Sequence, residues 1–299
     1  MSWVTLSILS ALLLGVYDLF KKAGTRENAV APTLFFSVSA GALVWLPFLV
    51  WSYSSPGSYP AETFLVKPLT LAEHGLLIVK SGIAATSWIF NYFAVKHLPV
   101  SIAAPIRATS PVLTILIAVT FFGERLSGTQ WTGVVVILGA FYAFTFVGKM
   151  EGIHFHKNRW VVFMVIATFF SSISSIYDKY LLQSRDLDAA TVQCWFSIYL
   201  PVVLAPFYMA WRCGKIGSRE FEWRWSIPMI GICLLAADFL YFSALMQDGA
   251  LVSVITPLRR CAILVTFLGA IAAFKEKNFR PKLACILTLL AGVWTINRK

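Results

Sequence analysis

The feature that most constrains the fold of this chain is a succession of long apolar stretches separated by short polar connections. An α-helix crosses the hydrocarbon core of a bilayer with roughly 20 apolar residues. With 58% hydrophobic and 13% charged residues, the 299-residue chain is too apolar for an ordinary soluble domain. We therefore predict an all-α membrane protein with ten transmembrane helices, at residues 3–20, 32–52, 73–95, 100–122, 128–148, 160–182, 190–211, 226–246, 251–273 and 280–297.

The net charge of +11 does not indicate a nucleic-acid partner, because most basic residues lie in short connections beside apolar stretches. That distribution is typical of topology signals and of contacts with anionic lipid headgroups. The connections after the odd-numbered spans hold fifteen Lys and Arg residues, against five on the other side. By the positive-inside rule we predict that both termini lie outside the cytoplasm.

The sequence offers no motif for catalysis or for a bound metal. The five cysteines form no C-x-x-C pair, and the H-x-H of His154 and His156 has no third ligand nearby. Neither H-E-x-x-H nor G-x-S-x-G occurs in the chain. We therefore expect no cofactor, no metal and no enzymatic activity.

An internal repeat organises the chain. A shift of 152 residues superposes SIAAPIRATSPVLTILIAVTFFGER on SVITPLRRCAILVTFLGAIAAFKEK, with matches at Ser, Pro, Arg and Glu that apolar composition does not generate. Because five spans are an odd number, a second copy must cross the membrane in the opposite sense. We predict two inverted five-helix repeats at 1–148 and 160–299, a linker at 149–159, and a substrate site between the repeats near the bilayer midplane.

The ten-span layout, the repeat and the phrase P-I-R-A-T-S-P-V-L-T followed by F-G-E-R resemble the drug/metabolite transporter superfamily, specifically its EamA-type members. The resemblance implies a multi-pass transporter of small metabolites that works by alternating access, and we expect it in the bacterial inner membrane. Plastid sugar-phosphate translocators of the same superfamily bind phosphate through basic residues in the fourth and ninth spans. This sequence resembles them at Arg107 and at Arg259 and Arg260.

Two prolines are predicted to break helices at the centre of the repeats. Pro105 and Pro257 have no N–H, so the carbonyl groups of Ser101 and Ser253 lose their partners. Transporters tolerate such freed polar groups where protein or a water-filled cavity satisfies them. A packing kink is the simpler alternative.

Three arginines, Arg107, Arg259 and Arg260, lie within predicted spans, where a charge facing lipid costs on the order of 3 kcal/mol. Their planar guanidinium groups suit phosphate or carboxylate, and we predict that they bind substrate. Adjacent helical residues point about 100° apart, so Arg259, which matches Arg107, is the cavity candidate of its pair. The alternative is a structural role, in which the arginines bond freed carbonyls or pair with acidic side chains.

Candidates for coupling or gating are Asp238, Asp18, Asp178 and Lys80. Asp238 lies in the middle of its span, where a carboxylate removed from water could carry a proton. Asp18 and Asp178 occupy equivalent places in the two repeats, and their simpler interpretation is pairing with adjacent lysines at the membrane interface. Candidates for lining the substrate site are Trp88, Asn91, Tyr92 and Tyr241, for which helix packing is the alternative.

The sequence therefore predicts a secondary active or exchange transporter of a small organic metabolite, with an anionic, phosphorylated or carboxylated, substrate. Two alternatives stay open: a proton-coupled exporter of amino acids or cationic amines, and a flippase of a phosphate-bearing lipid headgroup. The expected partners are a small-molecule substrate and membrane lipids. Small-residue patches leave a homodimer open as well.

Overall fold

The computed structural model describes residues 2–54, 62–110, 112–113, 117, 127–150, 157–216, 220–247, 250, 255, 258–259, 261–274 and 279–296. Regular structure within these residues is helical, and a π-helical turn, Tyr180–Ser184, extends the sixth helix. The helices are α1 (Trp3–Thr25), α2 (Val30–Ser54), α3 (Leu71–His97), α4 (Val100–Ala108), α5 (Gly128–Met150), α6 (Arg159–Lys179), α7 (Ala189–Arg212), α8 (Ser226–Leu245), α9 (Ala262–Phe274) and α10 (Phe279–Ile296).

Polar residues just outside the apolar stretches start several of these helices. The Thr70 side chain accepts from the backbone N–H of Glu73, and the Glu73 carboxylate accepts from the backbone N–H of Thr70 in return. This reciprocal cap satisfies two N–H groups that a helix end leaves without partners. It explains why α3 begins two residues before its apolar stretch.

Among the residues that the structure describes, six helices are long and apolar enough to cross a membrane: α1, α2, α3, α6 with its π-helical turn, α7 and α8. Large apolar side chains stand exposed on the outside of the bundle, which suits lipid rather than water. The prediction of an integral multi-pass membrane protein is confirmed, whereas the number of ten spans stays a prediction. Examples of these outward side chains are Leu43, Val50, Val135, Val202 and Leu268.

Helices from the two ends of the sequence interleave. α1 packs along α8, α3 along α6 and α5 along α10, while α2 lies against α7 and α8. Serine hydroxyls join two of these pairs: Ser10 Oγ donates to the carbonyl of Ala237 at 2.6 Å, and Ser87 Oγ donates to that of Ala167 at 2.7 Å. This arrangement surrounds a central space with α1, α3, α4, α6, α7, α8 and α9.

Candidate functional site

A polar cavity of about 120 Å³ lies at the centre of the bundle. One water molecule needs roughly 10–15 Å³ on this measure, so the cavity has room for several. Helices from both predicted repeats contribute to its wall. The charged and polar residues of the wall are Tyr17, Lys80, Ser87, Trp88, Asn91, Arg107, Ser171, Ser174, Ser175, Asp178, Asp238, Tyr241 and Arg259.

Eight of the side chains predicted from the sequence as substrate or coupling residues line this one cavity. Two more lie behind the wall: Asp18 under Arg107, and Tyr92, whose hydroxyl hydrogen-bonds with Ser37 Oγ at 3.2 Å. Arg260, Ser253 and Pro257 fall outside the described residues, as does the side chain of Ser101. The eight residues in the wall are Lys80, Trp88, Asn91, Arg107, Asp178, Asp238, Tyr241 and Arg259.

The first charged cluster consists of Asp18, Lys21 and Arg107. Arg107 donates from both terminal nitrogens to the two carboxylate oxygens of Asp18, with Nη1 2.7 Å from Oδ1. Lys21 Nζ donates to the same Oδ1 at 3.0 Å, and the hydroxyl of Thr266 donates to Oδ2 at 3.2 Å. Two cations share one carboxylate, so the cluster has an excess positive charge beside the cavity.

The first cluster lies in the protein interior. Asp18 does pair with an adjacent lysine, Lys21, yet both residues are buried, with exposed fractions of 3% and 0%. Helix α1 continues to Thr25, past the end of the apolar stretch, so that Lys21 lies on its buried face.

The second charged cluster consists of Lys80, Asp178, Asp238 and Arg259. Lys80 donates to the carboxylate of Asp178, so the ion pair joins α3 to α6. Arg259 Nη2 donates to Asp238 Oδ1 at 2.7 Å. Asp178 also interacts electrostatically with Asp238 and Arg259. Asp178 is buried, and Lys80, which contacts it, is distant in sequence.

Aromatic rings support the cations of the second cluster. The guanidinium carbon of Arg259 lies 4.1 Å from the ring centroid of Tyr241. Lys80 Nζ lies 4.3 Å and 4.9 Å from the ring centroids of Phe196 and Phe242. The negative faces of aromatic rings attract cations, and the attraction strengthens where water is excluded.

Three buried polar atoms in the cavity wall lack a hydrogen-bond partner among the described residues, and one of them is the hydroxyl oxygen of Tyr241. The other two are Asn91 Oδ1, an acceptor, and Arg259 Nε, a donor. A buried group without a partner costs about 1–3 kcal/mol. All three atoms belong to residues that the sequence predicted as substrate ligands, and each retains capacity to bond a molecule in the cavity.

Helix α4 includes Pro105 and ends at Ala108, where Thr109 forms a turn. Pro105 lies inside this helix and has no N–H to donate to the carbonyl of Ser101. The interruption of the helix therefore comes after the proline, and it leaves Arg107 in the last turn, directed at Asp18 and the cavity.

Sequence reasoning missed several wall residues. Ser171, Ser174 and Ser175 all line the cavity, and their spacing of three and four residues places them on one face of α6. That periodicity was a readable signal. Lys21 carried a weaker one, since it follows Asp18 by three residues and the two therefore share a helix face. The described residues contain no group of His, Cys, Asp and Glu that could hold a metal ion.

Residues 1–146 match the EamA-like transporter family. That segment amounts to just under half of the chain. The family match confirms the resemblance to EamA-type members of the drug/metabolite transporter superfamily, which included the phrase P-I-R-A-T-S-P-V-L-T followed by F-G-E-R. The matched residues include α1 to α4 and most of α5, and therefore Lys80, Trp88, Asn91 and Arg107 of the cavity wall.

Two curated relatives share part of this sequence. The pseudopaline exporter CntI of Pseudomonas aeruginosa is 25% identical over 142 residues, which cover 46% of this chain and 45% of the exporter. A WAT1-related protein of Arabidopsis thaliana is 22% identical over 153 residues, which cover 51% of this chain and 39% of the relative. The chain thus spans less than half the length of the curated relatives it matches.

A solved crystal structure superposes on 99% of this chain and on 96% of its own, with a TM-score of 0.65 and 14% sequence identity. At this identity the likeness concerns the fold alone. It extends across both halves of the sequence, whereas the family match stops at residue 146.

Proposed function

We propose that the protein is a secondary active or exchange transporter of a small organic metabolite, and that it works by alternating access at the central cavity. The observation that carries the proposal is the convergence of charged residues from both halves on one polar cavity inside an apolar bundle. A buried charge inside a membrane protein marks a substrate or ion pathway by default. The name of one relative, an exporter, agrees with transport.

Helix packing supports two inverted repeats. If α1 to α5 correspond to α6 to α10, the exchange of halves converts the α1–α8 contact into the α6–α3 contact, and both are present. The α2–α8 contact likewise corresponds to α7–α3, and α1–α9 to α6–α4. Contacts between α2 and α7, α4 and α9, and α5 and α10 map onto themselves. Inverted repeats of this kind rock against each other around a fixed site in known carriers.

Polar contacts join the halves at the end of the bundle where α1 finishes. We call Asn28, Glu222 and Arg224 the first clasp. The Asn28 side chain exchanges two hydrogen bonds with the backbone of Glu222, at 2.7 and 2.9 Å. Arg224 Nη1 donates to the carbonyl of Arg26 at 2.6 Å. These bonds hold the α1–α2 connection of one half against the α7–α8 connection of the other.

A second clasp, made of Lys67, Asp188 and Thr191, joins the halves at the opposite end. The backbone N–H of Lys67 donates to Thr191 Oγ1 at 3.0 Å, and its ammonium group pairs with Asp188, also at 3.0 Å. Exchange of the halves converts one clasp into the other. The first clasp joins the start of α2 to the connection before α8, and the second joins the start of α7 to the connection before α3. We propose that one clasp opens at a time and exposes the cavity to one side.

The balance of charge favours an anionic substrate. The described wall residues include three cations, Lys80, Arg107 and Arg259, against two carboxylates, Asp178 and Asp238. Arg259 keeps a donor that no described residue bonds, and Arg107 belongs to a cluster with excess positive charge. A carboxylate or phosphate on the substrate would compete with Asp18 and Asp238 for the two guanidinium groups, which suit such anions.

A proton-coupled exporter of amino acids or cationic amines is the second candidate. The observation in its favour is that Arg107 and Arg259 are both occupied by carboxylates, while Asp178 and Asp238 interact electrostatically inside the cavity. Two nearby carboxylates tend to share a proton, and a cation that enters could displace it.

Transport in reconstituted vesicles tests the proposal. Vesicles carrying the protein are assayed for counterflow of labelled succinate, 3-phosphoglycerate and putrescine. We expect faster flux of an anion than of putrescine, with at least a tenfold loss in Arg107→Ala and partial recovery in Arg107→Lys. Arg185→Ala is the matched control, because Arg185 is exposed at the end of α6. Anion flux that survives Arg107→Ala contradicts the anionic substrate, and putrescine flux that requires Asp238 supports the second candidate.

A further inference from the structure

A small side chamber adjoins the central cavity between α2, α7 and α8. Its volume is about 20 Å³, room for one group the size of a water molecule. Trp88, Phe196, Leu234 and Asp238 border both spaces. The chamber is thus a lobe of the proposed substrate site, and it takes one functional group rather than a whole metabolite.

Two glycines close the side of this chamber where α2 meets α8. A Cβ atom on Gly231 would lie 1.9 Å from the carbonyl oxygen of Ser37, so the two helices touch through their backbones. Gly41 borders the same chamber, and the carbonyl oxygen of Gly231 would lie 3.7 Å from its Cβ. The close contact of α2 with α8 closes the chamber on that side.

Gln193 supplies the chamber with a buried amide that is only partly satisfied. The residue is 2% exposed, and its Oε1 has no hydrogen-bond partner among the described residues. Its Nε2 donates to Ser197 Oγ at 3.5 Å, the long limit of a hydrogen bond. A primary amide has two donor and two acceptor positions, so most of its capacity is unused.

The charge around the chamber determines which kind of group would bind there. Asp238 is the charged residue on its described wall, which contains neither lysine nor arginine. Arg259 occupies Oδ1 of this carboxylate, which has further acceptor positions. Gln193 Oε1 and Asp238 both present acceptors, so the chamber favours a hydrogen-bond donor and disfavours an anion.

We propose that this chamber is a subsite for a hydrogen-bond donor group of the substrate, an ammonium in preference to a hydroxyl, and that Gln193 is its specificity-determining residue. The inference deepens the proposed function and rests on it. An anionic group meets the arginines of the central cavity, while a donor elsewhere on the same molecule enters the chamber and bonds Gln193 and Asp238.

Cysteine labelling tests the subsite with small reagents in place of the unidentified substrate. Ser197→Cys is placed in a full-length background whose five native cysteines are replaced, and Ser175→Cys reports on the central cavity. Each folded variant reacts with three small methanethiosulfonates: the neutral methyl, the cationic aminoethyl and the anionic sulfonatoethyl reagents. Rates are divided by those of the same reagents with a free thiol, and size-exclusion chromatography checks that each variant stays folded.

At Ser197→Cys we expect the corrected rate of the aminoethyl reagent to exceed that of the sulfonatoethyl reagent at least tenfold. Adding Gln193→Leu or Asp238→Asn should lower this ratio at least threefold. Labelling at Ser175→Cys without labelling at Ser197→Cys overturns the subsite and leaves the proposed function standing. An equal or faster sulfonatoethyl reaction, or a ratio unchanged by Gln193→Leu, overturns the subsite too. No labelling at either position contradicts both the subsite and the accessible cavity.

Discussion

Replacing the carboxylate of Asp18 should destabilise the protein far more than removing one of the two cations that it holds. In Asp18→Asn, Lys21 and Arg107 keep their charges and lose their shared counterion. In Lys21→Met, Asp18 keeps both hydrogen bonds from Arg107. The first variant therefore leaves two uncompensated charges in the interior, whereas the second leaves a neutral pair.

The distances give the size of the difference. At the 3.0 Å between Lys21 Nζ and Asp18 Oδ1, two unit charges attract by about 5–6 kcal/mol at an effective dielectric constant of 20. The interaction of Arg107 at 2.7 Å is of similar size. Breaking a buried pair costs about 3–5 kcal/mol net, and an apolar replacement is often close to neutral. We expect about 5 kcal/mol for Asp18→Asn and about 1 kcal/mol for Lys21→Met.

The free energy of unfolding of both variants is measured in mixed micelles by titration with a denaturing detergent, followed by tryptophan fluorescence. The expected gap of about 4 kcal/mol is close to a thousandfold difference in the unfolding equilibrium constant. Asp188→Asn is the matched control: its partner Lys67 has a side chain 61% exposed, and such pairs contribute about 1 kcal/mol or less. Equal losses in Asp18→Asn and Lys21→Met would refute the shared-counterion interpretation.

Two further predictions follow from contacts elsewhere in the bundle. Gly231→Ala should destabilise the protein by about 1–3 kcal/mol in the same unfolding assay, because the added Cβ would meet the carbonyl of Ser37. Gly82→Ala is the control and should leave stability unchanged, because the space around Gly82 is open. Equal stability of the two variants contradicts backbone contact between α2 and α8. In sealed vesicles, Arg224→Ala should raise the labelling of a cavity cysteine from one side of the membrane, and Lys67→Ala should raise it from the other side. A rise from the same side for both variants contradicts the two-clasp mechanism.

Much of the helical framework could be predicted because apolar length and helix caps are local properties. The predicted stretch at 73–95 became Leu71–His97, and the one at 190–211 became Ala189–Arg212. The predicted first span ends at residue 20, because Lys21 and Lys22 are typical of residues just outside the membrane. The helix instead continues to Thr25. A lysine can be buried when a carboxylate compensates it, and nothing local to Lys21 reveals that Arg107 arrives at the same carboxylate from another helix.

The composition of the cavity wall was predictable where the repeat supplied the evidence. Arg107 and Arg259 match across the 152-residue shift, and both line the cavity. Gln193 carried no such signal, because a single amide on an apolar helix has the same appearance in sequence whether it faces a chamber or a neighbouring helix. Only the tertiary arrangement of α2, α7 and α8 distinguishes the two.

The pairing of charges departs from the predicted symmetry of the repeat, and two residues account for the different partner of Arg259. On symmetry alone, the pair of Arg107 with Asp18 would be matched by a pair of Arg259 with Asp178. The 149-residue shift that aligns Tyr92 with Tyr241 places Lys80 opposite Met229 and Asp238 opposite Ile89, so each charge occurs in one half only.

Because Lys80 occupies Asp178, Arg259 pairs with Asp238 instead. The added cation and the added carboxylate cancel, so the net charge of the site is unchanged while its distribution is not. The second half thereby gains a carboxylate that borders the side chamber, and the first half has no equivalent. Under the proposed function, an elongated substrate would therefore meet chemically different groups at its two ends, and this difference would fix its orientation in the cavity.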